Sequence, residues 1–226
     1  MAGRTRLKIY NNALSICGER SLSSVTEAVE SRRQLDLAWD SDGVNYCLEQ
    51  AQWRFAMRTQ KVEYDPSISP PFGYTYAFNK PSDWVLTSAV CSDERFTSPL
   101  LQYVDELDNW FADITPIYVK FVSDNVDYGL NLAEWPQSFG DYVDAYFASK
   151  IIYKMTSDKQ RIEQLMGSPG KIDGGELGRR LKIAKSRDAM TQPSKMRPPG
   201  SWSRARYGRN FRGPMGDGGT SGSLIG

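Results

Sequence analysis

SRRQLDLAWDSDGVNYCLEQAQWRF, residues 31–55, decides the fold class. Ser31 and Gln34 have capping-box spacing, in which two side chains satisfy bare backbone donors at a helix start. Leu35, Trp39, Tyr46, Gln50 and Trp53 then mark one stripe, and Leu37, Val44, Cys47, Leu48, Ala51 and Phe55 a second. Two apolar stripes mean a helix contacted on two sides. Gly43 costs about 1 kcal/mol relative to alanine inside a helix, so a bend is allowed there. The stretch predicts one long helix that serves a core and a neighbour.

Upstream, Leu7, Tyr10, Leu14 and Cys17 fall on one face of a helical period, and Gly18 is a stop signal. Ser24 and Glu27 repeat the capping-box spacing and predict a brief helical turn. Downstream of Trp53 the period changes. RTQKVEY (58–64) reads as a strand, and PSISPPFG (66–73) breaks the chain. Short β-type runs follow at 74–78, 84–90, 100–104, 110–112 and 116–122. In the last of these Ile117, Val119 and Phe121 alternate with Tyr118, Lys120 and Val122. Asp108-Asn109 suits a hairpin turn. Together these runs predict a small antiparallel β unit whose aromatic residues are core and same-face neighbours.

Helix returns near Pro136, with Phe139, Val143, Tyr146, Phe147, Ile151 and Met155 on a broad apolar face. Ile162, Leu165 and Met166 continue it, GSPGKIDGG (167–175) interrupts it, and Leu177, Leu181 and Ala184 resume it. Arg179, Arg180, Lys182, Lys185 and Arg187 opposite read as a solvated face. Neither helical half has enough apolar surface alone, so the two must pair. The predicted fold is mainly α with embedded β: a helical bundle carrying a small antiparallel β insertion and an extended C-terminal tail. Its divisions are 1–57 and 135–192 for the bundle, 58–134 for the insertion and 193–226 for the tail.

Composition narrows function. Of the 226 residues 40% are hydrophobic and 12% aromatic, too many for a chain disordered throughout. There is no histidine, which excludes Ser-His-Asp and Cys-His catalysis and histidine-ligated metals. Cys17, Cys47 and Cys91 form no C-x-x-C pair and read as small buried apolar residues. No apolar run approaches the roughly 18 residues of a membrane span, and the N-terminus lacks a leader's apolar stretch. No phosphate-loop or dinucleotide fingerprint is present. Asp83, Asp93, Glu94, Asp105, Glu106, Asp108 and Asp113 could in principle supply a glycosidase pair. Nothing in the sequence selects two of them, and turns and solvated strand faces explain them. The expectation is no enzyme, no cofactor and no metal.

Charge is unevenly spread. Net charge is +1, yet residues 193–226 carry six basic residues against Asp217, which leaves the remainder about −4. Trp202, Tyr207 and Phe211 are interleaved with Arg204, Arg206, Arg209 and Arg212. Such a segment can stack on bases and pair with phosphates. It can equally be a strap that orders on a protein surface, since arginine and aromatics dominate interface hot spots. A plain solvated tail is the third reading.

Several stretches in order resemble the tail tubular protein A, or head-to-tail adaptor, family of short-tailed phages. They are IYNNALSICGERSLSSVTE (9–27), VNYCLEQAQWRFAMRT (44–59), PPFGYTYAFNKPSDWV (70–85), PIYVKFVSD (116–124), EWPQSF (134–139) and RPPGSW (197–202). The resemblance implies a non-enzymatic virion protein of the tail or neck, assembled in the host cytoplasm. It implies a closed ring of identical subunits, commonly about twelve, beneath the portal protein. Distal tail tube or nozzle protein would bind below, and DNA would pass through the channel without sequence-specific contact. It also implies that the C-terminal segment reaches toward the portal. Trp202, Arg204, Arg206, Tyr207, Arg209, Phe211 and Arg212 are then the expected contacts to portal or neighbouring subunit. The alternative is a nucleic-acid-binding protein that uses the same basic aromatic tail.

Overall fold

A computed structural model of the chain describes residues 3–70, 73–167 and 175–191. Helix α1, Arg6–Cys17, starts where the Thr5 hydroxyl accepts from the Lys8 N–H and ends at Gly18 with φ 77°. The predicted stop is therefore real, and Ile9, Tyr10, Ala13, Leu14 and Cys17 turn inward. Ser24–Glu27 forms a turn and no helix: the Glu27 carboxylate accepts from the Ser23 N–H and hydroxyl instead.

The long helix predicted over 31–55 is two helices, α2 (Glu30–Asp40) and α3 (Gly43–Glu49). Between them Asp42 takes the left-handed conformation, φ 57° and ψ 30°. Gly43 shows why the chain breaks here. A Cβ on it would lie 2.5 Å from the Ala38 carbonyl oxygen and 3.2 Å from Phe147, so backbone folds tightly onto backbone and onto the next layer. The Ser31 capping box does not form either. Val29 precedes the helix without a side-chain cap, and Gln34 donates to the Glu30 carboxylate. The break sorts the two stripes differently from their sequence spacing: Leu35, Val44, Cys47, Leu48 and Trp53 are buried, while Leu37 and Tyr46 are exposed.

A single 3₁₀ turn at Arg54–Ala56 leads into six strands. They are β1 (Met57–Val62), β2 (Tyr76–Asn79), β3 (Trp84–Cys91), β4 (Val104–Asp105), β5 (Asn109–Ala112) and β6 (Ile117–Ser123). The β region resolves into two antiparallel sheets, ordered β1-β6-β3 and β2-β5-β4. The run predicted at 100–104 shrinks to the two-residue β4, and the β4–β5 turn closes with Glu106 N–H donating to the Asn109 carbonyl at 2.9 Å. Alternation along β6 is as expected: Ile117, Val119 and Phe121 join Val62, Phe78, Val90, Trp110 and Ala112 in a cluster shared by both sheets. Val122 belongs instead to the helical core, together with partly buried Met57, Val85 and Leu86. The first sheet thus lies between the helices and the second sheet.

Helix α4, Gln137–Met155, is the axis of the helical half. It is buried around most of its circumference, and α1, α2, α3, α5 and α6 all pack on it. Helix α5 (Lys159–Met166) is capped by Asp158, which accepts from the Gln160 and Arg161 N–H groups. Helix α6 (Gly175–Met190) buries Ala184 and half-buries Leu177 and Leu181. Helices before and after the β strands therefore do pair. The described fold is mixed α and β, six helices with two small antiparallel sheets.

Candidate interaction surface

One face of the helical half keeps large side chains in water. Lys154 Nζ donates to Gln34 Oε1, and Gly43 sits against Phe147, so α2 runs antiparallel along α4. Leu37 on α2 is 62% exposed, Tyr46 on α3 47% and Tyr153 on α4 66%. The Tyr46 ring stacks on Tyr146 with centroids 4.9 Å apart. Lys150 Nζ stands 5.0 Å from the Tyr146 centroid and 5.9 Å from that of Tyr46. An ammonium over aromatic faces gains about 0.5–1 kcal/mol at an exposed site. Lys150 makes no ion pair among the described residues, so its charge remains available. Aromatics and apolar side chains around an unpaired cation have the makeup of a protein-binding patch.

A second feature is a cleft of about 750 Å³ lined by α1, α4 and α6. Beside it Arg4 lies flat on α4, because Gly140 has no side chain to collide with its Nε. Arg4 donates to Asp144 at 2.7 Å and to Asp141 at 2.6 Å, and Asn12 donates to Asp144 at 2.7 Å. Burial pushes the Asp144 carboxyl above the usual carboxylate range, against the opposite pull of Arg4. On the far wall Arg179 and Arg180 hold Glu176 at 2.7 and 2.8 Å and draw its carboxyl down to about 2. Arg180 also donates to the Asp141 carbonyl at 3.0 Å. Apart from exposed Arg187, the cleft's charges are committed to one another, which makes it a polar joint among three helices.

The carboxylates considered for hydrolysis have structural partners. Asp83 accepts from Arg58 at 2.6 Å and from the Ser123 hydroxyl. Asp93 holds the Thr97 and Ser98 N–H groups, Asp113 holds Thr75, and Glu94 accepts from the Tyr118 hydroxyl. Asp105 pairs with Lys80 and accepts from Thr87 and Trp110. Only Glu106 and Asp108, on the β4–β5 turn, leave their carboxylates without such a bond among the described residues.

All three cysteines are buried, as expected, and burial pushes the Cys17 thiol up to about 11. Among the described residues no cluster of three or more acidic or thiol side chains suits a metal ion, and no helix is long and apolar enough to cross a membrane. On the α6 face predicted to be solvated, Arg179, Lys182, Lys185 and Arg187 are exposed and Arg180 is partly buried, with Arg179 and Arg180 bonding Glu176. Trp202, Arg204, Arg206, Tyr207, Arg209, Phe211 and Arg212 lie outside the described residues. Sequence reasoning passed over Tyr153 and Lys150. Their signal was their place on α4: with Phe139, Val143 and Tyr146 they fall at i, i+4, i+7, i+11 and i+14, so the apolar stripe runs on into a cation and an exposed aromatic. No protein-family model and no curated protein matches the chain.

Proposed function

We propose that the chain is a structural head-to-tail adaptor subunit of a short-tailed phage. In this reading it is a helical bundle with a β insertion and a C-terminal strap. Copies assemble into a closed ring of about twelve, dock on the portal, carry the distal tail protein and leave a channel for DNA. The observation that carries the reading is that α2, α3 and α4 each bury residues in the core and also keep a large side chain bare, Leu37, Tyr46 and Tyr153 respectively. A ring subunit needs such a second, different contact face, because head-to-tail closure joins unlike surfaces. The ordered resemblance at 9–27, 44–59, 70–85, 116–124, 134–139 and 197–202 supplies the kind of ring. The strap would bring arginines 204, 206, 209 and 212 to carboxylates of the portal or of a neighbour, and many modest contacts would add by avidity.

Negative-stain images of the full chain mixed with the portal of its own phage test this. A ring seated on the portal vertex is expected. A chain that stays monomeric with and without portal removes the adaptor reading. Deletion of 194–226 is expected to preserve the helical circular dichroism signal and abolish co-purification with the portal. Undiminished co-purification removes the strap.

A further inference from the structure

We infer that the β4–β5 turn of one copy seats on the exposed α2–α4 face of the next copy. The inference rests on the ring reading above and names the surfaces that close it. The turn is an unusual surface feature. Leu107 at its tip is 86% exposed, and Glu106 and Asp108 flank it. An isolated leucine on a flexible loop would need no explanation, but this turn is held stiff. Lys80 Nζ donates to the carbonyls of Glu106 and Leu107, and the Lys80 N–H donates to that of Asp108 at 2.9 Å. The Lys80 charge is itself absorbed by Asp105, and its ammonium rests 3.7 Å over the Trp84 ring. Three carbonyls are thus tied to one residue while the tip's two carboxylates are left unpaired among the described residues. The result is a preorganised acidic knob with an apolar point, which loses little freedom on docking.

The opposite surface has the matching character. Leu37 and Tyr153 offer apolar contact, and the Tyr46–Tyr146 stack carries the Lys150 ammonium, which has no carboxylate partner among the described residues. The knob's carboxylates complement the Lys150 ammonium, with exposed Glu49 near Tyr146 the acidic group they must clear, and Leu107 complements the exposed apolar side chains; complementary charge fixes partner and register. Knob and face stand on different elements of the same chain, so their contact is heterologous and propagates from copy to copy. Tyr146 belongs to the helical core, but Leu37, Tyr46, Lys150 and Tyr153 on the face and Leu107 on the knob are exposed, which leaves them available for this use.

The test is a charge exchange read by sedimentation velocity on the full chain, with the portal added as a template. One variant carries Glu106→Lys and Asp108→Lys; the other carries Lys150→Glu. Both alter exposed side chains, and circular dichroism checks that each folds. Each variant alone is expected to weaken assembly at least tenfold, because like charges then face each other. An equimolar mixture is expected to restore assembly, since the reversed knob fits the reversed face and the native knob fits the native face. If either variant alone assembles like wild type, or the mixture stays as small as its parts, this contact is wrong. Wild-type rings in that same experiment leave the ring reading standing; a wild type that never assembles overturns both.

Discussion

Arg4 in the helical half and Lys80 in the β half are both almost fully covered, yet they are covered for different reasons. Arg4 is sealed between α1 and α4 and faces Asp144, whose side chain is 2% exposed. The pair joins residues 140 positions apart in the chain. Lys80 is sealed by Trp84 beneath it and by its own hairpin, and its partner Asp105 remains 32% exposed. The first cation pins a chain end to the axis of the core. The second shapes a surface turn. Burial alone does not rank such pairs. What matters is whether water can reach the partner left behind when one member is removed.

That difference sets the size of the expected losses. Asp144→Ala leaves the buried Arg4 guanidinium with partly exposed Asp141 and the Gln137 carbonyl, and breaking a buried pair in this way costs about 3–5 kcal/mol. Urea denaturation followed at the helical signal checks it, and a loss below about 1 kcal/mol would contradict the sealed geometry. Replacing both partners with Arg4→Met and Asp144→Leu should recover most of that stability, as apolar substitutes for buried pairs often do. Gly43→Ala sharpens the contrast within the helical half. In an ordinary helix interior this change stabilises by about 1 kcal/mol. Here the new methyl meets the Ala38 carbonyl, and overpacking of that kind costs about 1–3 kcal/mol. A raised denaturation midpoint would mean that α2 and α3 can separate to admit it.

Legibility follows the same division. Local rules predicted α1 with its Gly18 stop, the alternation of β6 and the existence of α4, because each depends on residues close in sequence. The α2–α3 break was partly legible: Gly43 allowed a bend, but one long helix was still expected. The apolar stripes run past Ser41 and Asp42 at nearly helical spacing, and the close packing at Gly43 against the Ala38 carbonyl and against Phe147, about a hundred residues later, has no signal in that spacing. The exposed face was half legible for this reason. Leu37 and Tyr46 stood out as apolar, but their outward direction depends on the break, and Tyr153 and Lys150 were not singled out. Pairing of Arg4 with Asp144 has no local signal at all, since nothing near Arg4 indicates a buried carboxylate.

The smallest expected effect falls on the β half. Lys80→Met keeps a side chain of similar length over Trp84, where a thioether packs well on an aromatic ring. It removes the donor to the Glu106 and Leu107 carbonyls, but both residues are exposed and water can replace the ammonium. Asp105 keeps the Thr87 hydroxyl and the Trp110 N–H as donors. The net loss should therefore be that of an ordinary hydrogen bond, about 1 kcal/mol in the urea midpoint. The larger change should be kinetic and local. Amide hydrogen exchange at Glu106 should accelerate as the turn loosens, while exchange in α4 stays at the wild-type rate. A loss as large as that of Asp144→Ala would mean that Lys80 is sealed as completely as Arg4, and that the turn is part of the core and not a shaped surface.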